Sequence, residues 1–205
     1  MNRREFLKLS AVTAGVGSLA VSSSAHALLQ CTPFDMSNRQ RCQAGIASNL
    51  AYAAAESAEP QQMTQWCWAA CISMVFSYYG HPVSQSRIVE NTWGGLVNNP
   101  GQPWQILNNL NKPWTDENGT EFMVQGDTYT ANHVSAAQDL ANNRPLIVGT
   151  MGHAMVLTAV EYERTNFGQG LIRNATVRDP WQNRGMRYLT PQEWYNMNFL
   201  ARIYI

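Results

Sequence analysis

The sequence predicts an α+β domain in which a helical part comes first and an antiparallel β-sheet comes last. Four segments of helical character, 67–80, 83–93, 102–110 and 130–143, occupy the middle of the chain. From Pro145 the pattern changes to five short runs, 145–150, 153–163, 171–180, 186–190 and 199–205, with apolar or alternating character. The Gly- and Asn-containing connections "TNFGQG" and "WQNRG" are short enough for hairpins, which favours antiparallel pairing over crossovers.

Each element has a local reason. In "CWAACISMVFSYYG" the residues Ala70, Met74, Phe76 and Tyr78 leave few polar positions, so this helix is expected to be buried on most sides, starting near Trp66 and ending at Gly80. Ser84 or Ser86 can cap the helix in "VSQSRIVENTW", "QPWQILNNL" supplies a short third helix, and Thr130 or Asn132 can start the fourth. "GGLVNNPGQP" and "TDENGTE" read as loops. Upstream, "CQAGIASNLAYAAAESAE" has the alanine content of a helix and is stopped by Pro60. Residues 28–60 are therefore expected to be an N-terminal extension, a scaffold or a short prosegment, ahead of a domain spanning 61–205.

The first 27 residues read as an export leader rather than as part of the fold. Arg3 and Arg4, followed by Phe6, Leu7 and Lys8, resemble a twin-arginine signal, with Asn2 where Ser or Thr is usual. A weakly apolar run broken by Gly15 and Gly17 follows, and Ala25-His26-Ala27 fits a cleavage site. A lipid anchor at Cys31 fits less well, because Gln30 precedes it. The whole chain has a formal net charge of zero, and without the leader it is about −2. Such a surface favours neither nucleic acid nor stable membrane insertion. The expectation is a periplasmic or secreted monomer with no cofactor and no metal.

All four cysteines lie beyond the leader: Cys31, Cys42, Cys67 and Cys71. In one helix Cys67 and Cys71 would hold their Cβ atoms about 5–6 Å apart, whereas a disulfide needs about 3.8 Å. Cys31–Cys42 is then the natural bridge in an oxidising compartment. A zinc site from Cys67, Cys71 and a histidine has little support, since C-x-x-x-C lacks a second matched pair.

Cys67 opens a helix, where a thiolate is favoured. A nucleophilic cysteine needs a histidine to take its proton and a third group to hold that histidine. His81 lies beyond the far end of the same helix and His133 opens a polar one, whereas His153 begins an apolar strand after "TMG". Asp179 ends a neighbouring strand, stopped by Pro180, where a carboxylate can accept from the imidazole. Each of these residues alone has an ordinary reading, as a buried thiol, a packed histidine or a turn aspartate. The ordered set Cys, His, Asp carries the information. Cys71, one turn into the helix, is expected to be structural. Trp66 and Trp68 read as core packing or as walls of a cleft, and Trp181 as a cover for the His–Asp bond.

"QQMTQWCWAAC", followed by "GHAMVLTAV" and "VRDPW", resembles the papain-like cysteine peptidases, most closely their compact bacterial branch with secreted and effector-type members. The resemblance implies a nucleophile helix packed against a C-terminal sheet, with Cys67 as nucleophile, His153 as base and Asp179 as orienting residue. It also implies a glutamine that donates to the oxyanion. Gln61, six residues before Cys67, has the family spacing, with Gln62 and Gln65 as alternatives. The implied reaction is peptide hydrolysis through a thioester. The same fold also serves amide hydrolases and acyltransferases acting on cell-wall peptide or protein glutamine, and a degenerate, non-catalytic periplasmic module is the remaining class.

Overall fold

A computed structural model describes residues 28–47, 60–128 and 133–205. The expected leader, Thr130 and Asn132, and the greater part of the Ala-rich stretch lie outside the described residues. In chain order the elements are β1 (Leu28–Cys31), β2 (Arg39–Gly45), α1 (Cys67–Tyr78), α2 (Gln85–Trp93), α3 (Pro103–Asn109), β3 (Pro113–Thr115), β4 (Glu121–Met123) and β5 (Gln125–Thr128). They continue with α4 (His133–Ala141), β6 (Leu146–Thr150), β7 (His153–Thr165), β8 (Gly170–Asp179), β9 (Gly185–Tyr188), α5 (Pro191–Tyr195) and β10 (Met197–Tyr204). The fold is α+β, with one large antiparallel sheet and a separate β3–β4 hairpin.

The 13-residue strand β7 organises the sheet. One of its edges is shared: residues 153–157 pair with β6 and residues 159–165 pair with β2. The other edge takes β8, to which β9 adds, while β10 and then β5 extend the sheet from β6. Helices on both faces explain why β6 and the start of β7 read as near-continuous apolar runs. Ile147, Ala154, Val156, Ala201 and Ile203 pack with Trp68, Ile72, Val75 and Phe76 of α1. The alternate residues Leu146, Val148, Met155, Leu157 and Leu200 pack with Ala136, Ala137 and Leu140 of α4. Strands buried on both faces lose the polar half of the period-two pattern. The helices therefore flank the sheet rather than sharing one side of it.

Helix α1 ends as its glycine predicts. Gly80 has φ +87°, its N–H donates to Ser77 O at 3.0 Å, and the His81 N–H donates to Phe76 O at 2.9 Å, which is the double bond of a Schellman cap. Ser84 occupies the N-cap position of α2.

The N-terminal region departs from expectation. Cys31 and Cys42 are disulfide-bonded as expected, but they face each other across paired strands, Cys31 opposite Cys42 in the β1–β2 register. The first residues of the expected Ala-rich helix, Cys42 to Gly45, belong to β2 instead. The burial of Gln40, Cys42 and Ala44 alternates with exposure of Arg39, Arg41 and Gln43. That alternation answers the open edge of β7, so tertiary pairing overrides alanine's helix propensity. Residues 28–45 are thus part of the main sheet. The stretch expected as a loop, 115–121, is the tip and flanks of the β3–β4 hairpin. Helix α5 and strand β5 carried no readable periodicity.

The cystine closes a short loop, so its contribution is bounded at about 3 kcal/mol. Replacing both Cys31 and Cys42 by Ser is expected to lower unfolding stability by about 2–3 kcal/mol in urea titration, and adding a reductant is expected to affect the parent protein but not the double variant.

Candidate active site

Three elements converge at one end of α1. Cys67 is the first residue of that helix, where the first N–H groups lack intrahelical partners. It carries a free, partly buried thiol. His153 is the first residue of β7, delivered by the two-residue turn Met151–Gly152, whose φ values are +50° and +77°. Thr150 and His153 are register partners on either side of it. Two successive positive φ values define the type I′ hairpin turn, which glycine at the second position accepts without strain. Asp179 ends β8 with its side chain fully buried.

His153 Nε2 lies 2.7 Å from Asp179 Oδ1, and the Cys67 thiol is the other group that acts on the imidazole. Since Nε2 serves Asp179, Nδ1 is the nitrogen left for the sulfur. Burial pulls the pKa of His153 down, but hydrogen bonds to Asp179 and Cys67, reinforced by their charges, outweigh it and raise the value to about 9. For Asp179, burial opposes ionisation. Hydrogen bonds from His153, the Trp181 N–H and Arg187 prevail and hold its carboxyl well below the usual range. Cys71, fully buried one turn along α1, has its thiol pushed far up by burial, with the Cys67 and Asp179 charges adding to the effect. The two free cysteines therefore differ sharply in environment.

The segment before Cys67 is held from several sides. The Gln61 N–H donates to Pro180 O at 2.8 Å, joining this segment to the end of the Asp179 strand. Gln85, buried in α2, accepts from the Gln62 N–H at 3.0 Å and donates to Pro60 O at 3.1 Å. Asn98 accepts from the Gln65 N–H at 2.9 Å and donates to Thr64 Oγ1 at 2.8 Å. The Gln61 side chain is buried, with Nε2 donating to the carbonyls of Met63 and Thr64, each at 3.0 Å. Its Oε1 is buried without a hydrogen-bond partner. The side chains of Gln62 and Gln65 are exposed.

Both tryptophans flanking Cys67 are buried, and both act as anchors. Trp66 Nε1 donates to Val97 O at 2.8 Å and Trp68 Nε1 to Asn99 O at 3.1 Å, tying the 94–102 loop to the nucleophile helix. A Cβ on Gly101 would lie 2.4 Å from the Trp68 ring, so only glycine fits there. Trp181 is partly exposed, stands edge-on to the His153 ring at 6.2 Å between centroids, and donates its N–H to Asp179 Oδ1 at 2.9 Å. His81 is committed elsewhere, 3.1 Å from Asp116 and stacked on Phe122.

Sequence reasoning passed over Arg187, Gln85 and Asn98. Arg187 Nε donates to Asp179 Oδ2 at 2.8 Å. An arginine in a four-residue strand gives no signal of this until β9 is seen paired beside β8.

Gly101→Val is expected to destabilise the protein by about 1–3 kcal/mol, the usual range for overpacking, measured by chemical denaturation. It is also expected to quench less of the tryptophan fluorescence on folding, because Trp68 is displaced.

No curated protein matches the chain. The family described as "Peptidase_C39 like family" matches residues 55–204, which include Cys67, His153 and Asp179. Most of the chain, including α1 and six of the eight strands of the large sheet, therefore falls within one family, and the chain belongs to the Peptidase_C39-like, papain-like cysteine peptidases.

Proposed function

We propose that this peptidase hydrolyses peptide bonds through a Cys67–His153–Asp179 triad and a thioester on Cys67. The observation that carries the reading is an imidazole that interacts with the helix-opening thiol and is held 2.7 Å from a buried carboxylate. An imidazolium beside the sulfur favours the thiolate, which attacks the scissile carbonyl. His153 then gives its proton to the leaving amine, and a water, deprotonated by the same ring, releases the acid and restores the thiol. Asp179 stays ionised throughout and keeps Nε2 engaged, so Nδ1 faces the reaction.

The oxyanion is met by the main-chain N–H at the start of α1 and by Gln61, which has the family's spacing and is tied to Pro180. Both amide protons of Gln61 rest on the Met63 and Thr64 carbonyls, so donation to substrate exchanges one of those bonds. The arginine pair of the leader supports export, and the Cys31–Cys42 disulfide suits the oxidising space outside the cytoplasm. Among the described residues no helix is long and apolar enough to cross a membrane.

Cys67→Ala and His153→Ala are each expected to abolish hydrolysis of an unstructured protein such as casein while leaving the unfolding transition in place. Full activity in either variant would sink the triad. In the parent protein iodoacetamide is expected to label Cys67 rapidly at neutral pH and to leave Cys71 untouched, with Cys67 labelling slowed in His153→Ala.

Gln61→Ala is expected to lower kcat by about 10²-fold, the cost of one oxyanion donor, with KM little changed in steady-state kinetics. The proton that serves the leaving group sits on His153 up to about pH 9. Since its pKa is raised from 6.5, kcat/KM is expected to hold through neutral pH and fall as the pH passes about 9, where the ring deprotonates.

A further inference from the structure

We propose that Arg187 and Glu193 are positioning residues that clamp Asp179 in the single orientation that serves His153. The inference rests on the triad assigned above and extends it to residues that never touch the substrate.

A carboxylate has two oxygens and a soft terminal torsion. Asp179 Oδ1 is occupied by His153 Nε2 at 2.7 Å and by the Trp181 N–H at 2.9 Å. Held by that oxygen alone, the group could still pivot. Its second oxygen accepts from Arg187 Nε at 2.8 Å, with Arg184 Nη1 more distant at 3.5 Å. Two anchored oxygens leave no free rotation, and the guanidinium supplies the counter-charge that a fully buried carboxylate needs.

Arg187 is itself immobilised. Nη1 donates to Glu193 Oε2 at 2.9 Å and to Tyr188 O at 3.0 Å, and Nη2 donates to Glu193 Oε1 at 2.6 Å and to Met155 Sδ at 3.1 Å. With Nε on Asp179, all five N–H donors are used, and the fork to Glu193 is bidentate. An ammonium group could not reproduce this geometry. Glu193 is fixed in turn by a capping box at the start of α5: its Oε2 accepts from the Thr190 N–H at 2.8 Å, and its own N–H donates to Thr190 Oγ1 at 3.2 Å. The Glu193 carbonyl accepts from Thr150 Oγ1 at 2.5 Å, and Thr150 is the register partner of His153. The chain of contacts leaves the base through Asp179 and returns to the same strand pair through α5. A clamp that closes on the base fixes Asp179 relative to the imidazole, beyond stabilising a surface turn.

The groups facing His153 are Cys67 from α1 and Asp179 and Trp181 from the end of β8, with Arg184 and Arg187 behind Asp179. The test uses the full chain with Arg187→Met, Arg187→Lys and Glu193→Gln. Two quantities are measured: kcat and KM on a peptide substrate, and the titration of the His153 ring by NMR, assigned by comparison with His153→Ala. Arg187→Met is expected to lower kcat about 10- to 100-fold, the range of a charge-assisted hydrogen bond, with KM little changed. Loss of the guanidinium charge alone would raise the His153 pKa, so a loosened Asp179 is read from a titration that falls below about 9 instead. Arg187→Lys should fall between the two, since one ammonium can pair with Asp179 or Glu193 but cannot bridge them.

A folded Arg187→Met protein whose His153 titrates as in the parent or higher overturns the clamp, even if its activity drops through a smaller active fraction. If Arg187→Met does not fold, Arg187→Lys decides, because it keeps the positive charge and loses the fork: a downward shift supports the clamp and an unchanged or upward one overturns it, while Glu193→Gln, which lowers the pKa through its lost charge alone, is read in kcat. The titration needs no substrate. A parent protein that fails to hydrolyse peptides or to show rapid Cys67 labelling would therefore count against the triad reading, while the clamp would still be judged on the ring titration.

Discussion

A carboxylate with no exposure to solvent sits at the centre of this structure, and the arrangement around it follows from the need to keep that charge. Removing an ionised group from water costs several kcal/mol unless hydrogen bonds replace the lost hydration. Asp179 has the replacements on every side: an imidazole, a backbone N–H and a guanidinium. These partners come from β7, from the turn after Pro180 and from β9, so three separately formed pieces of chain must be correctly placed together. The His153 bond that helps to keep Asp179 ionised also raises His153, on which Cys67 acts as well. The electrostatics of the thiol site therefore depend on a residue that the substrate never meets.

The other half of the site depends on shape more than on charge. The segment from Pro60 to Trp66 has no regular structure of its own, yet its backbone is met by Pro180, Gln85 and Asn98. Trp66 and Trp68 use large apolar surfaces to enter the core and their single N–H donors to hold the 94–102 loop. Residues next to a candidate nucleophile invite a substrate-binding interpretation. Here their burial and their hydrogen bonds make them fixtures that hold the cleft wall, while the exposed Trp181 is the tryptophan beside the His–Asp pair that solvent and substrate can reach.

Much of this was legible from local pattern. The buried nucleophile helix, its glycine cap and five C-terminal strands all have periodicity or turn chemistry that a single sequence displays. The candidates Cys67, His153 and Asp179 were readable as an ordered set, because each sits at the start or end of an element, where a side chain can reach a cleft. The N-terminal hairpin was misread because "CQAG" is short and alanine favours helix, whereas the open edge of β7, more than a hundred residues away, decides for strand. Helix α5 was missed because five residues hold barely more than one turn, and what stabilises them is a capping box that also serves Arg187.

The sequence by itself determined the fold class and the pairing of Cys31 with Cys42, and it singled out Cys67, His153 and Asp179 as candidates, because these follow from hydrophobic period, helix geometry and the chemistry of residue types. Only the tertiary structure decided what holds that set in place. Arg187, Glu193, Gln85 and Asn98 carry no motif, and their partners are set by strand register and loop packing, so their contribution exists only once distant segments have closed around a buried charge.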